Sequence, residues 1–273
     1  MSVIDFSAFV DRLAQVSGDI ILPFFRTSLG ANDKSSGGAF DPVTEADRGA
    51  ESAMRKLIRE QFPAHGVIGE EFGSEKADAE FVWILDPIDG TKSFISGLPT
   101  WGTLIGLLHN ERPVFGMMAQ PFTRERYSGD GRAANLRMPS AHRRENGDLD
   151  WTARAIRTRP CADFSKATLM TTSPRLLASD AHREAYSRVE SQVRLVRFGG
   201  DCYCALAGGH VDLVIESGLK AYDIAPLIPI VQGAGGVITD WRGGDASKGG
   251  AIVAAGDARL HEAALKLLAD AQT

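Results

Sequence analysis

The residues best suited to chemistry in this 273-residue chain are acids placed at the ends of apolar runs. Glu70 and Glu71 follow Val67 and Ile68, Asp86 and Asp89 follow Ile84 and Leu85, and Asp223 opens an apolar stretch after a glycine-containing loop. The end of a strand or the start of a helix is where a side chain can be aimed into a crevice. Pro87 fixes its own backbone angle and donates no hydrogen bond, and Gly90 permits angles that other residues resist. The run from Asp86 to Thr91 therefore bends tightly enough for Asp86 and Asp89 to face one point. Carboxylates that converge there repel one another unless a cation intervenes. An all-oxygen ligand set suits Mg²⁺ or Mn²⁺, whereas zinc prefers His and Cys.

Each acid also has a structural reading when taken alone. Asp86 before Pro87 is an ordinary turn residue. Asp47 is the fourth residue of Thr44-Glu-Ala-Asp47, a capping-box spacing. Asp223 suits a helix N-cap, and Glu70 with Glu71 suits a solvated loop. The combined string Asp-Pro-Ile-Asp-Gly-Thr, ending at Thr91, is too specific for a turn and favours the metal reading.

The elements that must carry these acids follow from periodicity. Apolar residues at Phe6, Phe9, Val10, Leu13, Val16, Ile20, Ile21 and Phe24 predict an amphipathic opening helix. The Gly/Ser-rich stretch 30–40, which contains Lys34, predicts a loop. A second helix starts at Thr44 and buries Ala50, Ala53, Met54, Leu57 and Ile58. Residues 81–85 predict a buried strand, and 101–108 with 113–119 a strand pair. Residues 123–160 are rich in Arg, Asn, Gly and Asp and read as a long surface connection with little local structure. Beyond them the pattern alternates, with strands over 167–172, 194–198, 211–215, 237–239 and 251–255. Helices are expected over 180–192, 202–208, 223–233 and 259–269. This predicts a layered α/β protein in two packed halves, 1–160 and 161–273, with neither linker nor repeat.

Composition narrows the function classes. A net charge of −5 provides no overall field for a polyanion, which argues against nucleic acid as a partner. Hydrophobic content of 44% and charged content of 24% are ordinary for a globular chain. No run of about 18 apolar residues, the length needed to span a bilayer, occurs in the sequence. The opening residues lack a basic start followed by an apolar block, so a cytoplasmic location is expected. Three cysteines cannot all pair with one another. Cys202 and Cys204 lack a second pair and read as buried thiols, not zinc ligands. The glycines from Gly233 to Gly236 follow a helix and precede a strand, the reverse of a dinucleotide loop. Arg143 and Arg144 read as a solvated basic patch, and His65, His109 and His210 have no nucleophile partner by spacing.

Gly69-Glu70-Glu71, the segment from Trp83 to Thr91, and Tyr222-Asp-Ile-Ala225 followed by Gly233 to Val237 resemble, in order, the signature segments of the inositol monophosphatase family. Asp41 to Asp47 resembles the segment before that family's second helix. The resemblance implies a five-layer α-β-α-β-α sandwich and Mg²⁺-dependent hydrolysis of a small phosphorylated metabolite, using two or three ions. It implies that Glu70, Asp86 and the Ile88 carbonyl hold one ion, and that Asp86, Asp89 and Asp223 hold another. Thr91 and Asp47 would polarise the attacking water, and the amides of Gly90 and Thr91 would receive the phosphate. Glu216 matches a carboxylate that contacts the rest of the substrate, and Asp201 is either a further acceptor or a helix cap. The family likeness also implies a homodimer.

The strings from Thr91 to Gly106, Thr171 to Pro174 and Phe198 to Tyr203 are similar to the histidinol-phosphate phosphatase branch. Histidinol phosphate carries an ammonium and an imidazole, which a carboxylate binds with charge assistance. Within the same family, an inositol monophosphatase or a broader sugar or nucleotide phosphatase is the alternative. A non-catalytic metal- or phosphate-binding regulator would be expected to lack a ligand, yet Glu70, Asp86, Asp89, Thr91 and Asp223 are all present.

Overall fold

In a computed structural model, described over residues 6–27, 42–143 and 149–269, two sheets and three helical layers alternate. Helices α1 (Ser7–Ile21) and α2 (Pro42–Gln61) come first. Strands β1 (Gly66–Gly69), β2 (Gly73–Glu75) and β3 (Phe81–Asp89) lead to the short helix α3 (Thr91–Ile95). Then follow β4 (Gly102–His109), β5 (Arg112–Gln120), β6 (Glu125–Gly129), β7 (Ala134–Arg143) and β8 (Leu149–Ala155). The rest of the chain runs β9 (Thr168–Thr171), α4 (Asp180–Glu190), β10 (Leu195–Phe198), α5 (Cys202–Ala207) and β11 (Leu213–Leu219). It closes with α6 (Ala221–Ile224), α7 (Ile228–Gly233), β12 (Val237–Asp240), β13 (Gly250–Ala255) and α8 (Ala258–Leu268).

Strands β1 to β8 form one eight-stranded sheet in the order β2-β1-β3-β4-β5-β6-β7-β8, and the other five form the order β10-β9-β11-β13-β12. The large sheet is antiparallel except where β1 runs parallel to β3. One of its faces packs on α1 and α2, where Val10, Leu13, Met54 and Ile58 meet Trp83, Leu85 and Ile105. Its other face meets the small sheet across α5 and α7, through Leu104, Met118, Leu136, Leu206, Ile230 and Ile252. The far face of the small sheet is covered by α4 and α8 through Ala185, Val189, Leu260 and Ala264. The architecture is thus the α-β-α-β-α sandwich. Because β3 is covered on both faces, its run Val82-Trp-Ile-Leu85 is apolar throughout and does not alternate. Among the described residues no helix is long and apolar enough to cross a membrane.

Two expectations need correction. Residues 123–160 are not a surface connection: β6, β7 and β8 extend the large sheet, and Ala134, Leu136 and Ile156 join the central core. The strands escape notice because their outer face is covered by long polar side chains. Arg126 and Arg137 stand opposite each other on β6 and β7, both pair with Asp11 of α1, and both lie over the Trp151 ring of β8. Alternation of arginine with modest apolar residues resembles a polar linker when read by composition. Leu136→Ala should therefore cost about 2–5 kcal/mol in urea unfolding, against a few tenths for a surface position. A change within the surface range would show that β7 contributes nothing to the core.

The second correction concerns 223–233, expected as one helix and found as α6 and α7. Pro226 lies between them, and its lack of an N–H and its ring both oppose a continuous turn. Lys34 and the Gly/Ser-rich stretch 30–40 lie outside the described residues, as does Arg144.

Candidate active site

The ends of β1 and β3 meet α3, β11 and α6 at one cavity of about 250 Å³, whose lining includes Glu70, Asp86, Ile88, Asp89, Thr91, Glu216 and Asp223. Asp86 and Asp89 come from the end of β3, where a break in register against β4 turns both towards the cavity. Thr103 on β4 fixes this break by donating its hydroxyl to the Pro87 carbonyl at 2.8 Å. Gly90, with φ of 88°, then turns the chain into α3, so that Thr91 begins a helix facing the acids. The Thr91 hydroxyl donates to the Ile88 carbonyl at 3.3 Å. Asp223 on α6 is oriented by the Lys220 N–H, which donates to its Oδ2 at 2.6 Å.

The carboxylates form two groups. Asp86, Asp89 and Asp223 each offer an oxygen within 4.8 Å of the others, and so do Asp47, Glu70 and Glu71. Glu70 connects the groups, with Asp86 and Asp223 on one side and Glu71 on the other. Burial and mutual repulsion push the acids towards their protonated forms. Asp47 is driven up to about 8 by burial and by the charges of Glu70, Glu71 and Glu51. Asp86 and Asp89 are held well above the ordinary carboxylate range, first by burial and then by neighbouring acids. Burial also raises Glu70 and Asp223.

The donor set fits a divalent ion. Asp47 Oδ1 and Asp86 Oδ1 are buried without a hydrogen-bond partner among the described residues, an arrangement that costs free energy unless something positive meets them. The oxygen-only chemistry matches Mg²⁺ or Mn²⁺. Such a set can hold one ion between Asp86, Asp89 and Asp223 and another near Glu70.

Glu216 on β11 is buried and accepts the Thr172 N–H at 2.9 Å, and burial raises its carboxyl above the usual range. Asp201 does not line the same cavity. It occupies the N-cap position of α5 but makes no side-chain cap bond, and its Oδ1 is buried without a partner among the described residues. Its cap reading therefore fails, and its charge is felt at Asp89. Asp47 is not a capping residue either, since α2 starts at Pro42 and Asp47 lies within it. Asp223 does accept a backbone N–H at a helix start, but from inside α6, not from the cap position. Cys202 and Cys204 are buried free thiols. His65 accepts the Trp83 indole N–H at 3.1 Å, a packing role.

Two acids have roles that the sequence pattern does not assign. Glu71 stands with Glu70 among the acids suited to chemistry, but only the structure shows that it completes the group with Asp47. Glu51, wholly buried on α2, was not noticed at all. The available signal was helical spacing: Asp47, Glu51 and Arg55 recur every four residues beside the buried stripe Ala46, Ala50 and Met54.

Comparison with known proteins agrees with this geometry. Residues 5–273 match the family model described as "Inositol monophosphatase family". The chain is 44% identical to the bifunctional phosphatase IMPL2, chloroplastic, of Arabidopsis thaliana, over 96% of its own length and 75% of that protein's. It is 34% identical to a histidinol-phosphatase of Mycobacterium tuberculosis, covering 83% of this chain and 84% of the relative. An inositol monophosphatase structure from Zymomonas mobilis superposes with a TM-score of 0.84 at 39% identity, over 98% of this chain and 99% of the other.

Proposed function

Since this chain belongs to the inositol monophosphatase family, we propose that it is a Mg²⁺-dependent phosphatase whose substrate is histidinol phosphate, cleaved by water to histidinol and phosphate. The observation that carries the chemistry is the convergence of Asp86, Asp89 and Asp223 within 4.8 Å, with a buried oxygen on Asp86 that has no partner among the described residues. In this reading Glu70, Asp86 and the Ile88 carbonyl would hold one ion and Asp86, Asp89 and Asp223 the other, with Mn²⁺ as a substitute. When bound, divalent ions supply Lewis-acid polarisation of phosphoryl oxygens and make a coordinated water acidic.

The protein's own groups supply orientation and proton handling. In this reading Asp47 and Thr91 together polarise the attacking water, and divalent ions bound at Glu70 would offset the negative charge that raises Asp47 to about 8 in their absence, leaving it ionised near neutral pH. The amides of Gly90 and Thr91 face the phosphate position at the start of α3. Attack in line on phosphorus breaks the bond to the ester oxygen, which leaves with a proton as the alcohol. Glu216 accepts from the ammonium of the substrate, and Leu176 and Leu219 of the cavity wall lie against its flat ring, whereas Asp201, outside the cavity lining, acts only through its charge. Residues 1–160 thus supply the metal set except Asp223, and residues 161–273 close the substrate side. A homodimer belongs to the same proposal and rests on the family likeness alone.

The second reading is an inositol monophosphatase, favoured by the 39% identity and close superposition of the Zymomonas mobilis structure. Phosphate release from histidinol phosphate, inositol 1-phosphate and fructose 1,6-bisphosphate, each with Mg²⁺ and with a chelator, separates the two. Histidinol phosphate should lead in kcat/KM by roughly tenfold or more, since a buried carboxylate left facing a polyol loses its charged partner. Preference for inositol 1-phosphate would remove the branch assignment. Undiminished release in the chelator would remove the metal dependence.

A further inference from the structure

The turn that carries Glu70 and Glu71 joins β1 to β2, and its backbone is held from below by α2. The Glu70 N–H donates to the Leu85 carbonyl at 3.2 Å. The next two N–H groups go to one side chain: Glu71 donates to Glu51 Oε2 at 2.8 Å and Phe72 to Glu51 Oε1 at 3.2 Å. The guanidinium of Arg55, one helical turn on, donates through Nε to Glu51 Oε1 at 2.7 Å and through Nη2 to the Gly73 carbonyl. Arg48 and Arg55 also lie over the Phe72 ring, with their guanidinium carbons 4.6 and 6.0 Å from its centre. Glu51 is pressed so closely against the strand that a Cβ on Gly69 would lie 2.1 Å from its Oε1. The N–H groups of Glu70, Glu71 and Phe72 and the carbonyl of Gly73 are thereby fixed to β3 or to this pair, whereas the side chains of Glu70 and Glu71 remain directed at Asp47.

We propose that Glu51, paired with Arg55, is a positioning residue that sets Glu70 and Glu71 for metal binding. This rests on the metal-dependent reading above. The pair lies on the same helix face as Asp47, so α2 places one carboxylate in the site directly and two more through the turn it grips. The plain alternative is that Glu51 and Arg55 are a buried ion pair that serves folding only. Such pairs often add little net stability compared with apolar replacements, so a folding role alone would not require this geometry.

Calorimetric titration of the whole protein with Mg²⁺ alone, without substrate, distinguishes the two. Glu51→Gln combined with Arg55→Met removes both charges together and leaves neither buried ion unpaired. It should raise the half-saturating Mg²⁺ concentration roughly ten- to a hundredfold, the usual loss when a group supporting metal ligands is removed. KM for the ester at saturating Mg²⁺ should stay near its original value. Arg55→Lys keeps the cation but loses the fork that spans Glu51 and Gly73, and should shift Mg²⁺ affinity in the same direction by a smaller factor. It carries the test if the double variant unfolds. Unchanged Mg²⁺ affinity in folded variants, with only the unfolding midpoint lowered, overturns the proposal. If the unmodified protein takes up no Mg²⁺, the metal-dependent reading fails first and the proposal falls with it.

Discussion

Asp89→Asn should lower phosphate release by roughly 10²–10⁴-fold, the scale of losing several kcal/mol of charge stabilisation in the transition state. The same variant should be at least as stable to denaturant as the parent in the absence of divalent ions. Asp89 is held well above the ordinary carboxylate range by burial, then by Asp223, Glu216 and Glu70. Its ionised form therefore opposes folding near neutral pH, and a neutral amide of the same shape removes that opposition. Together the two readouts separate a functional carboxylate from a structural one. Activity within twofold of the parent, or a variant that unfolds early, would remove Asp89 from the site.

A chelated sample should lose stability as pH rises from about 5 to about 8. Carboxyls whose folded-state values are raised hold more protons in the folded than in the unfolded chain throughout that interval, so stability falls with pH. The stabilisation is complete below the unfolded carboxylate range and is lost as pH passes the folded values, up to about 8 for Asp47. Asp86, Asp89, Glu70 and Asp223 act in the same direction. Added Mg²⁺ should reverse the trend and raise Tm more at pH 8 than at pH 5, because binding must displace those protons. Thermal melts at several pH values with and without Mg²⁺ measure both effects. A Tm independent of pH, or a Mg²⁺ increment larger at pH 5, would show that the acids do not share a charged pocket.

The fivefold layering was legible mainly because of how strongly the motif segments resemble one family. Periodicity alone supported helices at both ends and a doubly buried strand ending at Asp86. It failed for β6 to β8, where Arg126, Arg137 and Trp151 dress the exposed face and leave only Ala134, Leu136 and a few neighbours to mark the buried one. It failed again at Pro226, where apolar residues continue but the helix cannot.

By itself the sequence determined which residues can ligate a hard cation and how the chain bends at Pro87 and Gly90, since turn geometry depends on a few adjacent residues. The tertiary structure alone decided that Asp223, far along the chain, comes within 4.8 Å of Asp86 and Asp89, and that Glu71 joins Asp47. It also decided that Glu51 holds the turn from below. The reason is physical: desolvation and repulsion among carboxylates depend on what packs around them, and here that packing comes from α2, β3 and α6 together.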